Sequence, residues 1–325
     1  MADERFPQVA AYVRAAIERS SDRPAFRDLL LQLMSGPGRV LSPSGPVKWP
    51  AFVLYTCRAL GGNATAAVGA AAAVEFIIAS ADVVDDLVDG DWDGGQDHRA
   101  RALNASHGLT WLAHQCVSDL AVVLGEKRAC VIGSIASQQA MRSCSGEDLD
   151  LALEGVCDAT AEAAYDMTQL KSGSLVALAC QVGAALATDD AEVLSLAGTL
   201  GTHIGVIAQL LNDIGGVVDG NDIRRRKKTL PIVYALRCAR EEGMPEVLQL
   251  YSDGCAASST DWKRLADTMR DIGALHYASV VAAAHRREAM AAVRELIRLT
   301  GRKEVASLRR LVPLVWAAES RRESR

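Results

Sequence analysis

The chain has 325 residues, a formal net charge of −5, and a composition of 50% hydrophobic and 23% charged residues. This composition is ordinary for a globular protein with a large core, and the acidic balance argues against a basic nucleic-acid-binding protein. The eight cysteines form no C-x-x-C pair, which favours a reducing cytoplasm over a secreted disulfide framework. We also expect no signal peptide and no transmembrane segment.

The N-terminal part of the chain follows helical periodicity. Phe6–Met34 predicts two helices that are separated at Pro24, because proline interrupts a helix interior. A loop rich in glycine, proline and serine then extends to Pro46. Ala51–Leu60 predicts a short helix that Gly61-Gly62 ends. No segment alternates polar and apolar residues as an exposed strand does, so the predicted fold class is all-α.

The stretch Ala66–Gly90 is a long apolar run that ends in the sequence D-D-L-V-D at residues 85–89. It contains no proline and predicts a buried helix, and two acids interrupt it too early for a membrane span of about 20 apolar residues. Asp85 and Asp89 are four residues apart and share one helix face. Such carboxylates suit Mg²⁺ with substrate phosphates, although a solvated acidic helix end has the same pattern.

Helical patterns also fill the rest of the chain. The predicted helices are Arg101–Leu124, Arg128–Met141, a nearly unbroken Leu149–Ala187, Val193–Leu211, Pro231–Arg240, Asp261–Met269, Ala274–Leu299 and Val305–Ala318. We expect one domain over residues 1–325, with N-terminal helices and a loop over residues 1–46 and a flexible tail over residues 318–325.

A second apolar helix, Val193–Leu211, also ends in oxygen ligands, here Asn212 and Asp213. A basic run, Arg224–Lys228, follows it, and Lys171 lies earlier in the chain. These cations could bind phosphate oxygens. Two such helix ends that face one cavity could share a Mg²⁺–diphosphate cluster, which is the reason to expect a single domain.

These stretches, taken in order, resemble the trans-isoprenyl diphosphate synthases, the polyprenyl synthetase family. The matching stretches are residues 73–89 for the first aspartate-rich motif, Ser145–Leu151 for G-Q-x-x-D-L, Lys171–Ala187 for K-T-x-x-L…G-A-x-L-A, and Gln209–Pro231 for the second acidic motif with its closing G-K-x-T-L-P. The resemblance covers roughly Pro46–Leu236. It implies the all-α isoprenoid synthase (class I terpenoid synthase) bundle around a central cavity, a homodimer, and three Mg²⁺ ions with bound diphosphate.

The resemblance also implies residue roles. The implied catalytic residues are Asp85, Asp86, Asp89, Asn212 and Asp213, and all of these except Asp86 would bind metal. The implied diphosphate-binding residues are Lys171, Arg226, Lys227 and Lys228, and the implied cavity residues are Ile77, Ser80, Ala81 and Trp49. In the family, bulky residues four and five places before the first acidic motif limit chain length. The small Ala81 and Ser80 therefore predict a substrate of fifteen to twenty carbons.

The site for isopentenyl diphosphate departs from the family pattern. The positions that are basic in its G-K-x-x-R-P stretch read Pro46, Val47 and Trp49 here. The histidine position is Ile78, and the R-R-G pair falls on Gly94 and Gly95. Arg99 and Arg101 lie nearby and could partly substitute. The allylic site is thus largely kept, whereas the isopentenyl diphosphate site is erased.

Several functions fit this pattern. The prenyl group could pass to another small-molecule or peptide acceptor, and the stretch Asn212–Pro231 also resembles the peptide-pheromone tryptophan prenyltransferases, which suggests an aromatic or indole acceptor. A class I terpene cyclase needs only one substrate and explains the erased site equally well. An ordinary polyprenyl diphosphate synthase, or a non-catalytic subunit of one, is a third hypothesis.

Three further side chains each have two interpretations. His203 could line the cavity or be structural. Trp92 could cover the site as a lid or anchor its loop. Trp49 could offer a π-face to an acceptor or a carbocation, or it could simply pack against its neighbours.

Overall fold

The computed structural model describes residues 5–42, 49–90, 92, 96–154, 156, 158–252 and 261–315, and every regular element within them is helical. The all-α prediction is therefore confirmed. The helices are α1 (Phe6–Ser20), α2 (Pro24–Leu33), α3 (Trp49–Leu60), α4 (Ala64–Val88), α5 (Gln96–Leu124), α6 (Glu126–Glu154), α7 (Ala161–Thr168), a π-helical segment (Gln169–Gly173), α8 (Ser174–Ala185), α9 (Ala191–Val218), α10 (Asn221–Arg225), α11 (Leu230–Glu241), α12 (Pro245–Ser252), α13 (Asp261–Asp271), α14 (Ala274–Thr300) and a 3₁₀ helix (Lys303–Leu311).

Two of the predicted helices are wrong. The unbroken helix over Leu149–Ala187 is instead the end of α6, then α7, the π segment and α8. Thr160 starts α7 as its N-cap, because its side chain accepts a hydrogen bond from the Ala163 backbone N–H at 3.1 Å. The predicted helix Val305–Ala318 is a 3₁₀ helix that ends at Leu311, close to Pro313, which has no N–H to continue it.

Two short helices were missed by the sequence analysis. Helix α10 lies within the stretch that reads as a basic loop, and α12 has only eight residues. Both are too short for a hydrophobic period to stand out over several turns.

The chain divides into two compact units. Unit 1 comprises Met1–Met141, Leu175–Gly201 and Ala292–Leu311, and unit 2 comprises Arg142–Ser174, Thr202–Ala291 and Val312–Arg325. In unit 1, α4 packs against α1, α3 and α5. Its alanine-rich sequence lets these neighbours approach closely, and Phe76 and Ile78 are fully buried in the core.

Unit 2 contains α7, the π segment, the C-terminal part of α9, α10 to α13, and most of α14. Its core joins residues from several short helices, including Val217, Ile223, Ile232 and Met269. Helix α13 packs against both α10 and α11, which holds the segment after α9 in a defined position.

Helices α4 and α9 are each long and apolar enough to cross a membrane. In the most apolar 18-residue window of α4, 67% is buried inside the protein, and in that of α9, 56% is buried. Packing in a protein core therefore accounts for much of their apolar character, because core helices pass the same test as membrane spans.

Candidate active site

The first acidic motif lies at the C-terminal end of α4, in unit 1. Asp85 and Asp89 are half-buried, whereas Asp86 is exposed. Partial desolvation of its carboxylate nevertheless raises the pKa of Asp86 above its ordinary value, and the charges of Asp82 and Asp85 raise it further. The Arg99 guanidinium donates a hydrogen bond to the Leu87 carbonyl, which places a cation at the negative end of the helix dipole. The compensating charge that this acidic end requires is therefore present.

An ionic cluster on α4 precedes this motif, and it extends from the fully buried Glu75 to the partly exposed Asp82. Arg39, from the loop after α2, forms an ion pair with Asp82, and its Nη1 atom is 3.9 Å from Oε1 of the fully buried Glu75. The same Oε1 atom accepts a hydrogen bond from the Val40 backbone N–H at 3.1 Å. Burial raises the pKa of Glu75 to about 7, against the opposing effects of Arg39 and the Val40 hydrogen bond. Arg39 thereby ties the acidic helix to the preceding loop, a role that nothing in its own sequence surroundings signalled.

The predicted cavity residues of α4 face its neighbours in unit 1. The Ser80 hydroxyl donates a hydrogen bond to the Ser106 carbonyl at 2.9 Å and lies 3.0 Å from Oγ1 of Thr110, so it points towards α5. Ala81 and Ile77 are half-buried, and Ile77 packs against the core. Their predicted role in lining a substrate cavity stays a prediction.

Both tryptophans of this region make packing contacts. The Trp49 ring centroid lies 6.4 Å from that of Phe52, and the side chain packs against the core of unit 1. Trp92 packs against a small cluster of Val83, Leu87 and Ala102. The structure therefore favours the packing interpretation of Trp49 and the anchor interpretation of Trp92.

The second acidic motif lies near the end of α9, in unit 2. Asp213 is 1% exposed, whereas Asn212 is exposed. Asp213 Oδ1 accepts a hydrogen bond from Gln209 Nε2 at 2.8 Å, and Gln209 Oε1 in turn accepts one from the Ser172 hydroxyl at 2.6 Å. Asp213 Oδ2 is buried and has no hydrogen-bond partner among the described residues. Ser172 thus fixes the orientation of the Gln209 amide, which holds the carboxylate.

The electrostatic environment of Asp213 is unfavourable for a carboxylate without a cation. Burial raises its pKa to about 8, and the charges of Asp222 and Asp150 add to this rise. The Gln209 hydrogen bond and the charge of Lys227 act in the opposite direction. A bound cation would reverse this balance, because it favours the ionised carboxylate.

The π segment carries Lys171 and is fixed closely to α6. A side chain at Gly146 of α6 would place its Cβ only 2.6 Å from the Lys171 Cα atom, so glycine is required for this approach. Lys171 Nζ lies 2.7 Å from both Glu147 Oε2 and Asp150 Oδ2. Lys227 Nζ lies 4.0 Å from the same Asp150 oxygen. The structure therefore gathers two of the predicted phosphate-binding lysines around Asp150, and it adds Glu147, which the sequence analysis did not single out.

The other basic residues after α10 differ in their surroundings. Lys228 is 3% exposed, and its Nζ donates hydrogen bonds to the Glu154 carbonyl at 3.3 Å and the Arg226 carbonyl at 3.1 Å. Arg226 is half-buried and has a positive φ of 54°. Lys228 therefore anchors the basic loop, whereas the charges of Arg226 and Lys227 lie nearer the surface of unit 2.

His203 belongs to a chain of hydrogen bonds inside unit 2. Its Nδ1 lies 2.8 Å from Nδ1 of His285, and His285 Nε2 lies 3.1 Å from the Tyr165 hydroxyl. Gln169 of the π segment donates to the same hydroxyl at 2.8 Å. Burial lowers the pKa of His285 to about 4, with the charge of His203 lowering it further. These bonds support the structural interpretation of His203.

The comparisons with known proteins identify the family. A family model described as polyprenyl synthetase matches residues 38–269, which is more than half of the chain. The chain belongs to the polyprenyl synthetase family. It is accordingly a prenyltransferase-type enzyme of isoprenoid biosynthesis, as the ordered motifs predict. The roles of the individual site residues stay predictions.

The relatives of this polyprenyl synthetase are named for different enzymes. The geranylfarnesyl diphosphate synthase of Aeropyrum pernix is 30% identical over 254 residues, which cover 70% of this chain and 76% of that protein. The tryptophan prenyltransferase ComQ of Bacillus subtilis (strain 168) is 26% identical over 242 residues, which cover 73% of this chain and 77% of that protein.

Solved structures confirm the all-α isoprenoid synthase fold. The crystal structure of a polyprenyl synthetase from Streptomyces coelicolor A3(2) matches with a TM-score of 0.78 at 22% identity, covering 96% of this chain and 98% of that one. A polyprenyl synthase from Caulobacter crescentus CB15, complexed with calcium and isoprenyl diphosphate, matches with a TM-score of 0.74 at 20% identity, covering 96% and 98%.

The acidic residues of this polyprenyl synthetase fit a divalent cation. The buried Oδ2 atom of Asp213 has no hydrogen-bond partner in the described part of the chain, and carboxylate oxygens are the ligands that Mg²⁺ prefers. Among the described residues, no three His, Cys, Asp or Glu side chains form a group that could hold a metal by themselves. Water and substrate phosphates would therefore supply the remaining ligands, as is usual for Mg²⁺.

Proposed function

We propose that the protein ionises an allylic prenyl diphosphate in a Mg²⁺-dependent reaction and transfers the prenyl group to an acceptor other than isopentenyl diphosphate. An aromatic or indole ring is the proposed acceptor class, in keeping with the similarity to a tryptophan prenyltransferase. Polyprenyl synthetases are generally Mg²⁺-dependent. The single observation that carries this proposal is the burial of the aliphatic Ile78 in the core of unit 1.

Ile78 occupies the family's histidine position and is fully buried in the core of unit 1. An aliphatic side chain there offers no hydrogen bond to a diphosphate. Trp49 replaces another basic residue and packs against Phe52. Each charge-assisted hydrogen bond that a diphosphate loses costs about 1.5–3 kcal/mol, so these replacements weaken any isopentenyl diphosphate site substantially.

The nearby arginines support the same conclusion. Arg99 donates to the Leu87 carbonyl, and Arg101 Nη2 lies 3.5 Å from the Ala25 carbonyl. Both guanidinium groups therefore have backbone acceptors within unit 1. The remaining replaced positions, Pro46, Val47, Gly94 and Gly95, lie outside the described residues.

The proposed reaction assigns roles to the acidic and basic groups. Asp85, Asp89, Asn212 and Asp213 would supply oxygen ligands to Mg²⁺, with Asp86 beside the first pair. Bound Mg²⁺ supplies positive charge that stabilises the leaving diphosphate. Lys171, Arg226 and Lys227 would bind phosphate oxygens. In our proposal Lys228 instead holds the loop, because its ammonium group bonds two backbone carbonyls.

Transfer then exchanges one bond for another. The C–O bond of the allylic substrate breaks and both of its electrons leave with the diphosphate. The allylic carbon forms a new bond to the acceptor, and the acceptor releases a proton. Apolar surroundings would keep water away from the allylic cation. The small Ser80 and Ala81 suggest a prenyl chain of fifteen to twenty carbons.

Chain elongation is the second candidate function. It is favoured by the relative from Aeropyrum pernix, which is named as a geranylfarnesyl diphosphate synthase and is 30% identical. If this candidate is correct, another basic group must bind isopentenyl diphosphate in place of the replaced residues.

We further propose that the protein forms a homodimer through α5 and α6. In unit 1, Trp111 and Val122 of α5 are 69% and 91% exposed, and Met141 of α6 is 65% exposed. Large apolar side chains that are this exposed are unusual on a monomer surface, and a partner subunit would cover them. Light scattering of the parent protein and of Trp111→Glu tests this: we expect a dimer that the substitution weakens.

A substrate panel tests the proposed reaction. The protein would be incubated with Mg²⁺ and the dimethylallyl, geranyl, farnesyl or geranylgeranyl diphosphate, each alone and with indole or a tryptophan-containing peptide. Diphosphate release and product masses would be measured. Acceptor-dependent release with a prenylated acceptor supports the proposal. A hydrocarbon or cyclic alcohol from the diphosphate alone would instead identify a cyclase, and no release with any substrate would indicate a non-catalytic subunit.

A further inference from the structure

The second acidic motif reads N-D-I-G-G at residues 212–216, so Gly216 stands where the D-D-x-x-D pattern of the first motif has its last acid. Gly216 has no side chain, and a carboxylate from another residue lies in the space that a side chain would fill. An ideal Cβ atom built on Gly216 would lie only 2.5 Å from Asp222 Oδ1, and it would lie closer still to Oδ2. Real Cβ atoms do not approach other atoms so closely. The carboxylate of Asp222 therefore fills the space that a side chain at residue 216 would use.

The backbone after α9 explains how Asp222 reaches this place. Gly220 has a φ of +74°, which glycine adopts readily, and the chain reverses there into α10. The Trp262 side chain lies against Gly220, since a Cβ atom there would be 2.5 Å from its Cδ2 atom. Ile223 is buried in the core of unit 2, and the Lys227 N–H bonds the Asp222 carbonyl at 3.0 Å. Core packing and backbone bonds thus fix the position of Asp222.

The place that Asp222 fills lies beside Asp213. Residue 216 is three positions after Asp213 in α9, and residues at this spacing are neighbours on a helix surface, with Cβ atoms about 5–6 Å apart.

A second, separate observation points to a cation at this place. Asp213 is 1% exposed, and its Oδ2 atom has no hydrogen-bond partner among the described residues. Two neighbouring carboxylates, one of them deeply buried, can both be ionised at low cost only when a positive ion lies between them. Hard oxygen ligands of this kind suit Mg²⁺.

We propose that Asp222 supplies a carboxylate to the Mg²⁺ bound at Asp213, in place of the side chain that Gly216 lacks. The ligand that a D-D-x-x-D motif carries on its own helix comes here from the following helix, α10. This inference rests on the proposed Mg²⁺–diphosphate role, but it does not depend on which acceptor receives the prenyl group.

Metal binding by the full-length protein tests this assignment directly. Mn²⁺ would be titrated in the presence of inorganic diphosphate, and the free ion would be measured by electron paramagnetic resonance, without any prenyl substrate. Asp222→Asn should weaken Mn²⁺ binding at least roughly tenfold, at the lower end of the losses seen when groups around a metal are removed. The matched control is Asp219→Asn, an exposed acid three residues earlier, which should bind within about twofold of the parent.

A swap variant separates a ligand role from a structural role. In Gly216→Asp/Asp222→Ala the carboxylate returns to α9 and the space for it is cleared, so binding should recover to within about threefold of the parent. Gly216→Asp alone should not improve binding, because two carboxylates would compete for one place. Circular dichroism melting curves would check that each variant is folded.

The possible failures are distinguishable. Parent-like binding by Asp222→Asn, or a folded swap variant that recovers nothing, would overturn the role of Asp222 while leaving the proposed function standing. A parent protein that binds no Mn²⁺ with diphosphate would overturn both. A parent that binds Mn²⁺ but transfers no prenyl group would overturn only the proposed function.

Discussion

The acidic ends of α4 and α9 differ in the number, the burial and the origin of their carboxylates. At the end of α4, three carboxylates at the D-D-x-x-D spacing are half-buried or exposed, and Arg99 lies at the helix terminus. At the end of α9, the only acid of the motif, Asp213, is buried, and its neighbour Asn212 is exposed. In our proposal the first end carries its metal ligands on one helix, whereas the second also uses a carboxylate from α10. A ligand set is therefore defined by positions in space, and sequence spacing describes it only when all ligands lie on one element.

Removing a ligand carboxylate from either end should have the largest effect. Asp85→Asn, Asp89→Asn and Asp213→Asn should each lower kcat at least roughly 10²-fold, by analogy with other losses of transition-state charge stabilisation. Steady-state rates at saturating Mg²⁺ and substrate would measure this. The matched control is Asp271→Asn, an exposed acid at the C-terminal end of α13, which should leave kcat unchanged.

Thermal melting in EDTA sharpens the comparison between the ends. Asp213→Asn should raise the melting temperature at pH 7, because burial raises the pKa of Asp213 to about 8 and a neutral amide avoids the cost of protonating or desolvating that acid on folding. Asp85→Asn should change it little, because that side chain is half-buried. Near-normal turnover in all three variants, or equal melting shifts at both ends, would contradict the distinction.

The buried Glu75 behind the first end should make stability depend on pH. Its pKa in the folded protein is raised to about 7 from an ordinary value of 4.5, so the folded state binds more protons than the unfolded state between these values. The resulting stabilisation is fully present below about pH 4.5 and is lost as the pH rises through 7. Between pH 5 and pH 8 the parent should lose roughly 2–3 kcal/mol of unfolding free energy relative to Glu75→Gln. Urea denaturation at both pH values would show this, and parallel curves would refute it.

Substrate length tests how the α4 end continues into the protein. Ser80→Phe and Ala81→Phe should shift preference from farnesyl and geranylgeranyl diphosphates towards shorter substrates. Each buried CH₂ adds up to about 0.8 kcal/mol of binding, so a lost five-carbon unit should change relative kcat/KM at least roughly tenfold. The control is Val88→Phe, whose parent side chain is exposed at the same helix end. An unchanged order of preference in both variants would mean that the prenyl tail does not follow this helix.

The smallest expected effect concerns Lys171 in unit 2. Two carboxylates, Glu147 and Asp150, share its ammonium group at 2.7 Å each. Glu147→Gln should leave more positive charge for a diphosphate and lower KM for the allylic substrate about threefold, a modest change because these side chains are partly exposed. Asp148→Asn, an exposed neighbour, serves as the control. An unchanged or higher KM in Glu147→Gln would show that Glu147 does not restrain Lys171.

The sequence predicts those features that depend on a single continuous segment. The apolar run before residue 85, the break at Pro24 and the end of α3 at Gly61 are all local, and the structure confirms them. The break before α7 was missed because helical periodicity continues through it, although Thr160 is a suitable N-cap. The isolated cap residue did not outweigh that periodicity.

Site residues that come from distant segments could not be read from the sequence. Arg39 meets Glu75 from 36 positions away, and Glu147 meets Lys171 from a different helix. Asp222 was visible as an acid near the second motif, but its place depends on the reversal at Gly220. Only the fold shows that it occupies the space beside Gly216.

Incorporation of labelled isopentenyl diphosphate tests the central claim most directly. The protein would be incubated with farnesyl diphosphate, Mg²⁺ and radiolabelled isopentenyl diphosphate, and the prenyl products would be separated after acid treatment. With Ile78 buried at the histidine position, we expect little or no labelled product, while an indole or peptide acceptor is prenylated under the same conditions. Efficient formation of labelled geranylgeranyl or longer diphosphates would contradict the account and identify the protein as an elongating synthase.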